Sequence, residues 1–194
     1  MLLDQSEDIL ARILVTQGYL GHRWNSFLLP LVMTCKRLRF LVYDTTKYID
    51  LSGVDRIQSY GITLNKIQSY LGNLMLVDLS YAAVNFNESN LFQCFRRYQE
   101  TMRGISVRST SASDEFLYNV VCSYKYLTAL DISKINFGSG SLITDDGVKA
   151  VLTSCSSLEY LDLSSCYVTY SSIYILCRWT LSLVYYIVNH LLIL

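Results

Sequence analysis

The sequence predicts an α/β protein in which short parallel strands, each followed by a helix, are stacked behind a small all-helical module. Three observations support this prediction. A frame of alternating apolar residues recurs about every 28 residues from position 47, apolar residues three or four apart follow most copies of it, and residues 1–46 have a different pattern. A unit with one strand and one helix cannot bury its own apolar face, so successive units must stack.

Composition sets the first limits on function. The chain has 194 residues, 52% of them hydrophobic, with 16 basic and 16 acidic residues. This length and apolar content are sufficient for a sizeable core, and the balanced charge disfavours nucleic-acid binding. The first residues, MLLDQSED, are acidic where a secretory signal is basic. We therefore expect six reduced cysteines in a protein of the cytoplasm, the nucleus or both.

Residues 1–46 predict a helical module. In the stretch SEDILARIL a serine can cap the first helix, and two acidic residues follow in the first turn, where the helix dipole favours them. Its apolar stripe consists of Ile9, Leu10, Ile13 and Leu14. Pro30 stands where a second helix can begin. The apolar residues that follow it are Val32, Cys35 and Leu38.

Residues 47–180 contain about five copies of the strand frame. The copies are KYIDLS, LMLVDLS, MRGISVR, LTALDIS and LEYLDLS, with their centres at Asp50, Asp78, Ser106, Asp131 and Asp162. The apolar residues on either side of each centre point to one face of a strand. The intervening sequence predicts helices at 64–70, 90–98, 114–124, 146–152 and 171–177.

Residues 181–194 form an apolar C-terminal segment, which we expect to be a partial repeat or a tail. No charged residue follows Trp179, but the segment is shorter than the roughly 20 apolar residues of a membrane span, and it contains Asn189 and His190. A membrane anchor is therefore disfavoured. A sixth strand with its centre at Tyr185 is one alternative, and the others are truncation of the chain, dimerisation through this apolar end, and an irregular end.

The cysteines favour packing over chemistry. Cys155, Cys166 and Cys177 are 11 residues apart, whereas zinc ligands are usually paired two to four residues apart. Buried thiols fit tight corners between strand and helix, so we expect no metal and no cofactor. Phosphate-binding and hydrolase motifs are also missing from the sequence, and its two histidines are far apart. We expect no catalytic residues and no enzymatic activity.

The repeat frame resembles a known family. Residues 143–166, ITDDGVKAVLTSCSSLEYLDLSSC, resemble the cysteine-containing class of leucine-rich repeat. The resemblance implies a short solenoid with parallel strands on its concave face and helices on its convex face. In this stretch Thr144 or Asp145 is expected to cap the helix, and Gly147 to permit a close approach of the chain.

The N-terminal module resembles an F-box. EDILARIL, LVMTCKRLRFLVYD and YIDLS follow one another in the order that is typical of F-box proteins with leucine-rich repeats. The resemblance implies a substrate receptor of SCF-type ubiquitin ligases, which binds a Skp-family adaptor and, through it, a cullin. The implied adaptor-binding residues are Ile9, Leu10, Ile13, Leu14, Val32, Cys35 and Leu38. The alternative is a helical cap on a free-standing repeat scaffold that binds other proteins.

The strand frame also predicts a target-binding face. Residues between the apolar positions point away from the core, which aligns the acidic centres of neighbouring strands. The expected target-binding residues are Asp50, Asp78, Ser106, Arg108, Asp131, Tyr160 and Asp162. Carboxylates on neighbouring strands repel, so the first hypothesis is a target protein segment with a positive charge. The second is that aspartate is only a preference at the end of the strand.

Overall fold

The computed structural model describes residues 46–52, 71–81, 93–135, 143–166, 168–179 and 185–187. These residues contain six strands that form one parallel sheet in the order of the chain. The strands are Tyr48–Asp50 (β1), Leu76–Asp78 (β2), Gly104–Ser106 (β3), Ala129–Asp131 (β4), Tyr160–Asp162 (β5) and Tyr185–Ile187 (β6). The α/β class is confirmed, while the predicted helical module lies outside the described residues apart from Thr46.

The register of the sheet places the five predicted centres side by side. Asp78 pairs with Asp50 on one side and with Ser106 on the other, and Asp131 lies between Ser106 and Asp162. This alignment follows from the repeated spacing, because a shift by one residue would turn the apolar side chains of a strand to the opposite face.

Two columns of apolar side chains form the sheet's contribution to the core. The first consists of Ile49, Val77, Ile105, Leu130 and Leu161, and the second of Leu51, Leu79, Val107, Ile132 and Leu163. All ten side chains are buried, and they belong to the same cluster as the apolar residues of the helices. The alternating leucines thus face the helices, as the strand period predicts.

Residues 93–95 are α-helical, within the helix predicted at 90–98, and three longer α-helices follow in the described part of the chain: Asp114–Asn119 (α1), Asp145–Ser154 (α2) and Tyr170–Trp179 (α3). Two 3-10 helices, Arg96–Tyr98 and Val121–Ser123, complete the layer. Helix α2 buries the stripe Gly147, Val148, Val151 and Leu152 against the core. The predicted helices at 146–152 and 171–177 are confirmed with slightly wider bounds, and the one at 64–70 lies outside the described residues.

The predicted helix at 114–124 is divided in two. Helix α1 ends at Asn119, and a 3-10 turn begins at Val121. The break coincides with two β-branched residues, Val120 and Val121, which are both buried here. The two short helices therefore meet where the chain turns both valines into the core.

A sixth strand extends the sheet into the C-terminal segment. In β6, Tyr185 pairs with Tyr160, and Ile187 lies opposite Asp162. A sixth strand was therefore a correct alternative, but its centre is Ile187 and not Tyr185. None of the helices in the described part of the chain has both the length and the apolar character of a membrane span.

Candidate functional site

The sheet face opposite the helices carries three columns of residues, which we call the polar face. The outer column, at the first residue of each of the strands β1 to β5, contains Tyr48, Leu76, Gly104, Ala129 and Tyr160. The acidic column contains Asp50, Asp78, Ser106, Asp131 and Asp162, and the serine column two residues beyond it contains Ser52, Ser80, Arg108, Ser133 and Ser164. All seven residues predicted to bind a target thus lie on this face.

Each aspartate of the acidic column closes the turn after its own strand. The Oδ1 atom of Asp78 accepts a hydrogen bond from the backbone N–H of Ser80 at 2.8 Å. The equivalent bond, from the backbone N–H of a serine to the aspartate two residues before it, occurs at Asp50, Asp131 and Asp162, with lengths of 2.8 to 2.9 Å. These bonds give the aspartates a local role in the turn and fit the second hypothesis, a preference for aspartate at the end of the strand.

The turns continue into a left-handed residue three positions after the column centre. These residues are Tyr81, Ser109, Lys134 and Ser165, with φ between 55° and 62°. The N–H of Tyr81 donates to the carbonyl of Arg108, that of Ser109 to Ser133, and that of Lys134 to Ser164. The parallel hydrogen-bond ladder therefore extends past the strands and fixes the backbone beneath the polar face.

A short chain of hydroxyl groups crosses the middle of this face. The Oγ atoms of Ser80 and Ser106 are 2.7 Å apart, and Ser106 donates to Oδ2 of Asp131 at 3.3 Å. Asp131 also accepts from the Oγ of Ser133 at 2.6 Å. With the turn amide, three groups donate hydrogen bonds to the Asp131 carboxylate, so most of its acceptor capacity is used within the chain while its negative charge remains.

Two tyrosines of the outer column stand beside the carboxylates. Burial, together with Asp50 and Asp78, raises the pKa of Tyr48 to about 12. Burial, Asp162 and Asp131 also raise the pKa of Tyr160, while Arg108 acts in the opposite direction. Both phenols therefore remain neutral hydrogen-bonding groups at physiological pH.

On the helix side, aspartates connect successive units. Asp114, the first residue of α1, accepts hydrogen bonds from the backbone N–H and the hydroxyl of Thr144, at 2.9 and 2.6 Å. Thr144 in turn caps α2 by accepting the N–H of Asp146. A carboxylate at the start of one helix thereby holds the N-cap of the next.

The same arrangement recurs one unit later. Asp145 accepts hydrogen bonds from the backbone and hydroxyl of Thr169 and from the hydroxyl of Ser172. Burial by itself would raise the pKa of Asp145, but these hydrogen bonds outweigh it and lower the pKa below its usual value. Sequence analysis missed both links, although an N-cap residue followed by aspartate at 113–114 and at 144–145 was a usable signal.

Gly147 accommodates the carboxylate of the preceding unit. A Cβ atom added to Gly147 would lie 2.0 Å from Oδ1 of Asp114 and 3.0 Å from Cδ1 of Leu117. Any side chain at this position would therefore displace Asp114 and its bonds to Thr144. The predicted close approach of the chain at Gly147 is thus confirmed. Of the two predicted capping residues, Thr144 and Asp145, it is Thr144 that caps the helix.

Cys155 and Cys166 are buried and face backbone carbonyl groups. The Sγ of Cys166 donates to the carbonyl of Ile132 at 3.0 Å, and that of Cys155 to Val121 at 3.5 Å. Burial raises the pKa of both thiols to about 12, so they stay protonated and unreactive. Within the described residues no group of three metal-ligating side chains occurs.

Tyrosine takes the place of cysteine in earlier units. Tyr98 and Tyr124 are fully buried at the same corner between helix and strand as Cys155. The hydroxyl of Tyr98 donates to the carbonyl of Leu71 at 2.7 Å, which links this corner to the preceding unit. The sequence contained a signal for Tyr124, because it precedes Leu127 by three residues, as Cys155 precedes Leu158.

The seven predicted adaptor-binding residues, from Ile9 to Leu38, lie outside the described residues. The structure therefore brings together the predicted target-binding set and leaves the adaptor-binding set as a prediction. No family model matches the chain, and no curated protein is significantly similar to it.

Proposed function

We propose that the chain is the non-catalytic substrate-recognition subunit of a cullin-type ubiquitin ligase, in which residues 47–180 form leucine-rich repeats. The proposal is carried by one observation: parallel strands of recurring sequence lie in register and present a continuous polar face. It also uses the F-box-like order of motifs in front of the first strand. The ligase places a target near a transfer site on other subunits, so this chain contributes proximity and no bond chemistry.

In this proposal the polar face is the concave face of the solenoid and holds a protein target. The turn hydrogen bonds fix the backbone, so side chains such as Tyr48, Asp78 and Tyr160 are presented on a rigid support. A rigid surface loses little conformational entropy when it binds, which favours affinity.

The adaptor interface is tested by capture on an immobilised Skp-family adaptor. The wild-type chain should be retained, while the double variant Ile9→Asp with Leu10→Asp should be lost because it places charges on the predicted apolar stripe. Arg12→Asp, on the polar side of the same predicted helix, is the matched control and should be retained. Far-ultraviolet circular dichroism must show that all three chains are folded.

A free-standing scaffold with an N-terminal helical cap is the second candidate. It is favoured by the well-packed helix layer and sheet, which could present a binding face without a ligase. If a folded wild-type chain is not captured by the adaptor, the scaffold is the better description. Capture of the wild type and of the Ile9→Asp, Leu10→Asp variant alike would contradict the predicted adaptor stripe.

A positively charged target segment remains part of this proposal. Asn in place of Asp131 and Asp162 keeps the Oδ1 acceptor of each turn and removes the negative charge. Binding of a target at low salt should weaken in this double variant, since the attraction is electrostatic. Equal binding by the variant and the wild type would leave the aspartates with a turn role only.

A further inference from the structure

The series of aspartate links in the helix layer stops at α3. In α1 and α2 the residue after the N-cap is Asp114 and Asp145, respectively, and each carboxylate holds the N-cap threonine of the next helix. The N-cap of α3 is Thr169, whose hydroxyl accepts the N–H of Ser171, and the residue after it is Tyr170. Because tyrosine has no carboxylate, α3 lacks the group by which the earlier helices hold a successor.

Helix α3 exposes tyrosine where α2 carries charge. Asp145 reaches the following unit, so the equivalent residue Tyr170 lies at the end of the helix layer where a following unit would pack. Tyr174, one turn later, is equivalent to the exposed Lys149 of α2. Both tyrosines have 64% of their surface exposed. The outer face of a terminal repeat is usually polar, whereas a tyrosine ring is a large apolar group suited to an interface.

The sheet has an open edge at the same end of the stack. Among the described residues, β6 is bonded to β5 on one side and no strand lies on its other side. Natural edge strands usually carry charges or proline, because their N–H and C=O groups otherwise pair with other chains. Lys47 and Asp50 provide charges at β1, the opposite edge, but neither a charged residue nor a proline follows Trp179. The edge at β6 therefore lacks the usual protection against pairing.

We propose that two copies of the chain associate about a two-fold axis at this end, with the two β6 strands antiparallel and the two α3 helices side by side. An axis perpendicular to the sheet reverses the direction of the second strand and keeps both helix layers on one side of the joined sheet. The exposed tyrosines of α3 then lie between the two copies. This association goes beyond the ligase role and does not depend on it.

The lack of charge favours a second copy over a charged protein as the partner. From Tyr170 to the end of the sequence, Arg178 is the only charged residue. Identical copies therefore meet with little repulsion, and a charged partner finds little to select it. Two antiparallel edges also satisfy each other, because each strand supplies donors and acceptors alike. A two-fold contact uses the same edge on both copies, so the assembly closes at two.

The expected interface is small. A fully covered tyrosine buries about 150–250 Å². Two tyrosines from each copy, each 64% exposed, therefore remove roughly 400–600 Å² from solvent, and the strand edges add to this area. The sum lies near the lower limit of specific interfaces, about 1,200 Å². We therefore expect a reversible dimer with a dissociation constant on the order of 10 μM.

Sedimentation velocity of the full chain tests the proposal, over concentrations from about a tenth of this constant to about ten times its value. The wild type should shift from the mass of one chain, 22.2 kDa, to that of two. Tyr170→Asp restores the residue type of α1 and α2 and places like charges on both sides of the interface. Its dissociation constant should rise about tenfold. Tyr118→Asp makes the same change at an exposed tyrosine of α1, so this matched control should associate like the wild type.

Ile187→Lys tests the strand edge separately, because it gives β6 the kind of charge that protects edge strands. This variant should sediment as one chain throughout the range. Far-ultraviolet circular dichroism and thermal unfolding at low concentration identify the folded variants, and if Ile187→Lys does not fold, the comparison of Tyr170→Asp with Tyr118→Asp decides alone.

Four results would overturn the proposal. They are a wild type that remains a single chain, equal dissociation constants for Tyr170→Asp and Tyr118→Asp, undiminished association of a folded Ile187→Lys, and growth of the wild type beyond two copies. Adaptor capture depends on the N-terminal residues Ile9 and Leu10, so a failure of capture and a failure of self-association are separate results on the same chain.

Discussion

The turns that follow the strands are alike from unit to unit, whereas the helix layer differs between units. After the strands, the turns at Asp78, Asp131 and Asp162 share one hydrogen bond from backbone to carboxylate and one left-handed residue. In the helix layer, by contrast, the corner before each of the strands β2 to β5 is occupied by leucine, tyrosine or cysteine, and the helix predicted at 114–124 is divided in two.

The difference shows that the sheet, and not the helix layer, fixes the spacing of successive units. The sheet joins each unit to the next by backbone hydrogen bonds of 2.7 to 3.1 Å, a narrow range that fixes the distance between neighbouring strands. The helix layer packs side chains, and different side chains can fill the same corner if their polar atoms find partners, as Tyr98 does at the carbonyl of Leu71. The strands therefore recur faithfully, while the helices differ from unit to unit.

The largest expected effect comes from a substitution in the sheet, the more regular part of the molecule. Leu130→Ala in β4 empties a site that is completely buried between neighbouring strands. The variant should lose about 2–5 kcal/mol of unfolding free energy in urea titration, the usual cost of such a cavity. Glu159→Ala, an exposed change just before β5, should stay within about 0.5 kcal/mol of the wild type. Equal costs for the two would contradict the assigned burial.

The second effect probes the helix layer at Gly147. Gly147→Ala should cost about 1–3 kcal/mol, because its methyl group would occupy the position of the Asp114 carboxylate. In an Asp114→Ala background the same change should cost much less, or become favourable by about 1 kcal/mol through helix propensity. A full double-mutant cycle in urea measures this coupling. Additive costs would show that the two residues do not compete for space.

A third effect concerns the acid stability of the link at Asp145. Its pKa is lowered in the folded chain, so its stabilising contribution is complete above the pKa of the unfolded carboxyl group, about 3.9. That contribution is lost as the pH falls through the lower, folded pKa. Thr169→Val removes one donor and should move the Asp145 pKa upward, measured by carboxyl NMR titration. An unmoved pKa would rule out the hydroxyl as a cause.

The smallest expected effect concerns a left-handed residue in one of the turns after the strands. Lys134 is exposed and has a φ of 57°, a conformation that glycine adopts more easily than lysine does. Lys134→Gly should raise the unfolding free energy by up to about 1 kcal/mol, with the greater freedom of the unfolded glycine chain reducing the gain. Lys134→Ala keeps the Cβ atom and should show no gain. Thermal unfolding of the wild type and of the two variants measures these differences.

The sequence predicted the strands well and the turns poorly. Leucines such as Leu161 and Leu163 alternate with polar residues, and a period of two identifies a buried strand face directly. The left-handed turn residues Tyr81 and Lys134 have no property in common that would mark them. Their conformation is imposed by the ladder on either side of them, which is a tertiary constraint that no local pattern records.

For the candidate site, the sequence predicted the members of the polar face but not their individual roles. Register follows from spacing, so Asp50 and Asp78 could be aligned from the sequence alone. One of the three hydrogen bonds to Asp131 comes from Ser106 on the neighbouring strand, a bond between residues 25 apart. Likewise, the burial of the Arg108 Nε atom, which has no hydrogen-bond partner among the described residues, is visible only when the surrounding side chains are placed.

Both aspartate links in the described part of the helix layer join the start of one helix to the N-cap of the next helix along the chain. The carboxylate of Asp114 serves the N-cap of the following helix, and the carboxylate of Asp145 serves the one after that. A folded unit thus lowers the cost of nucleating its successor, because the first turn of a new helix is its least favourable step. Because the energy of each link is shared by the two units that it joins, a defect in one unit should weaken its two neighbours more strongly than distant units.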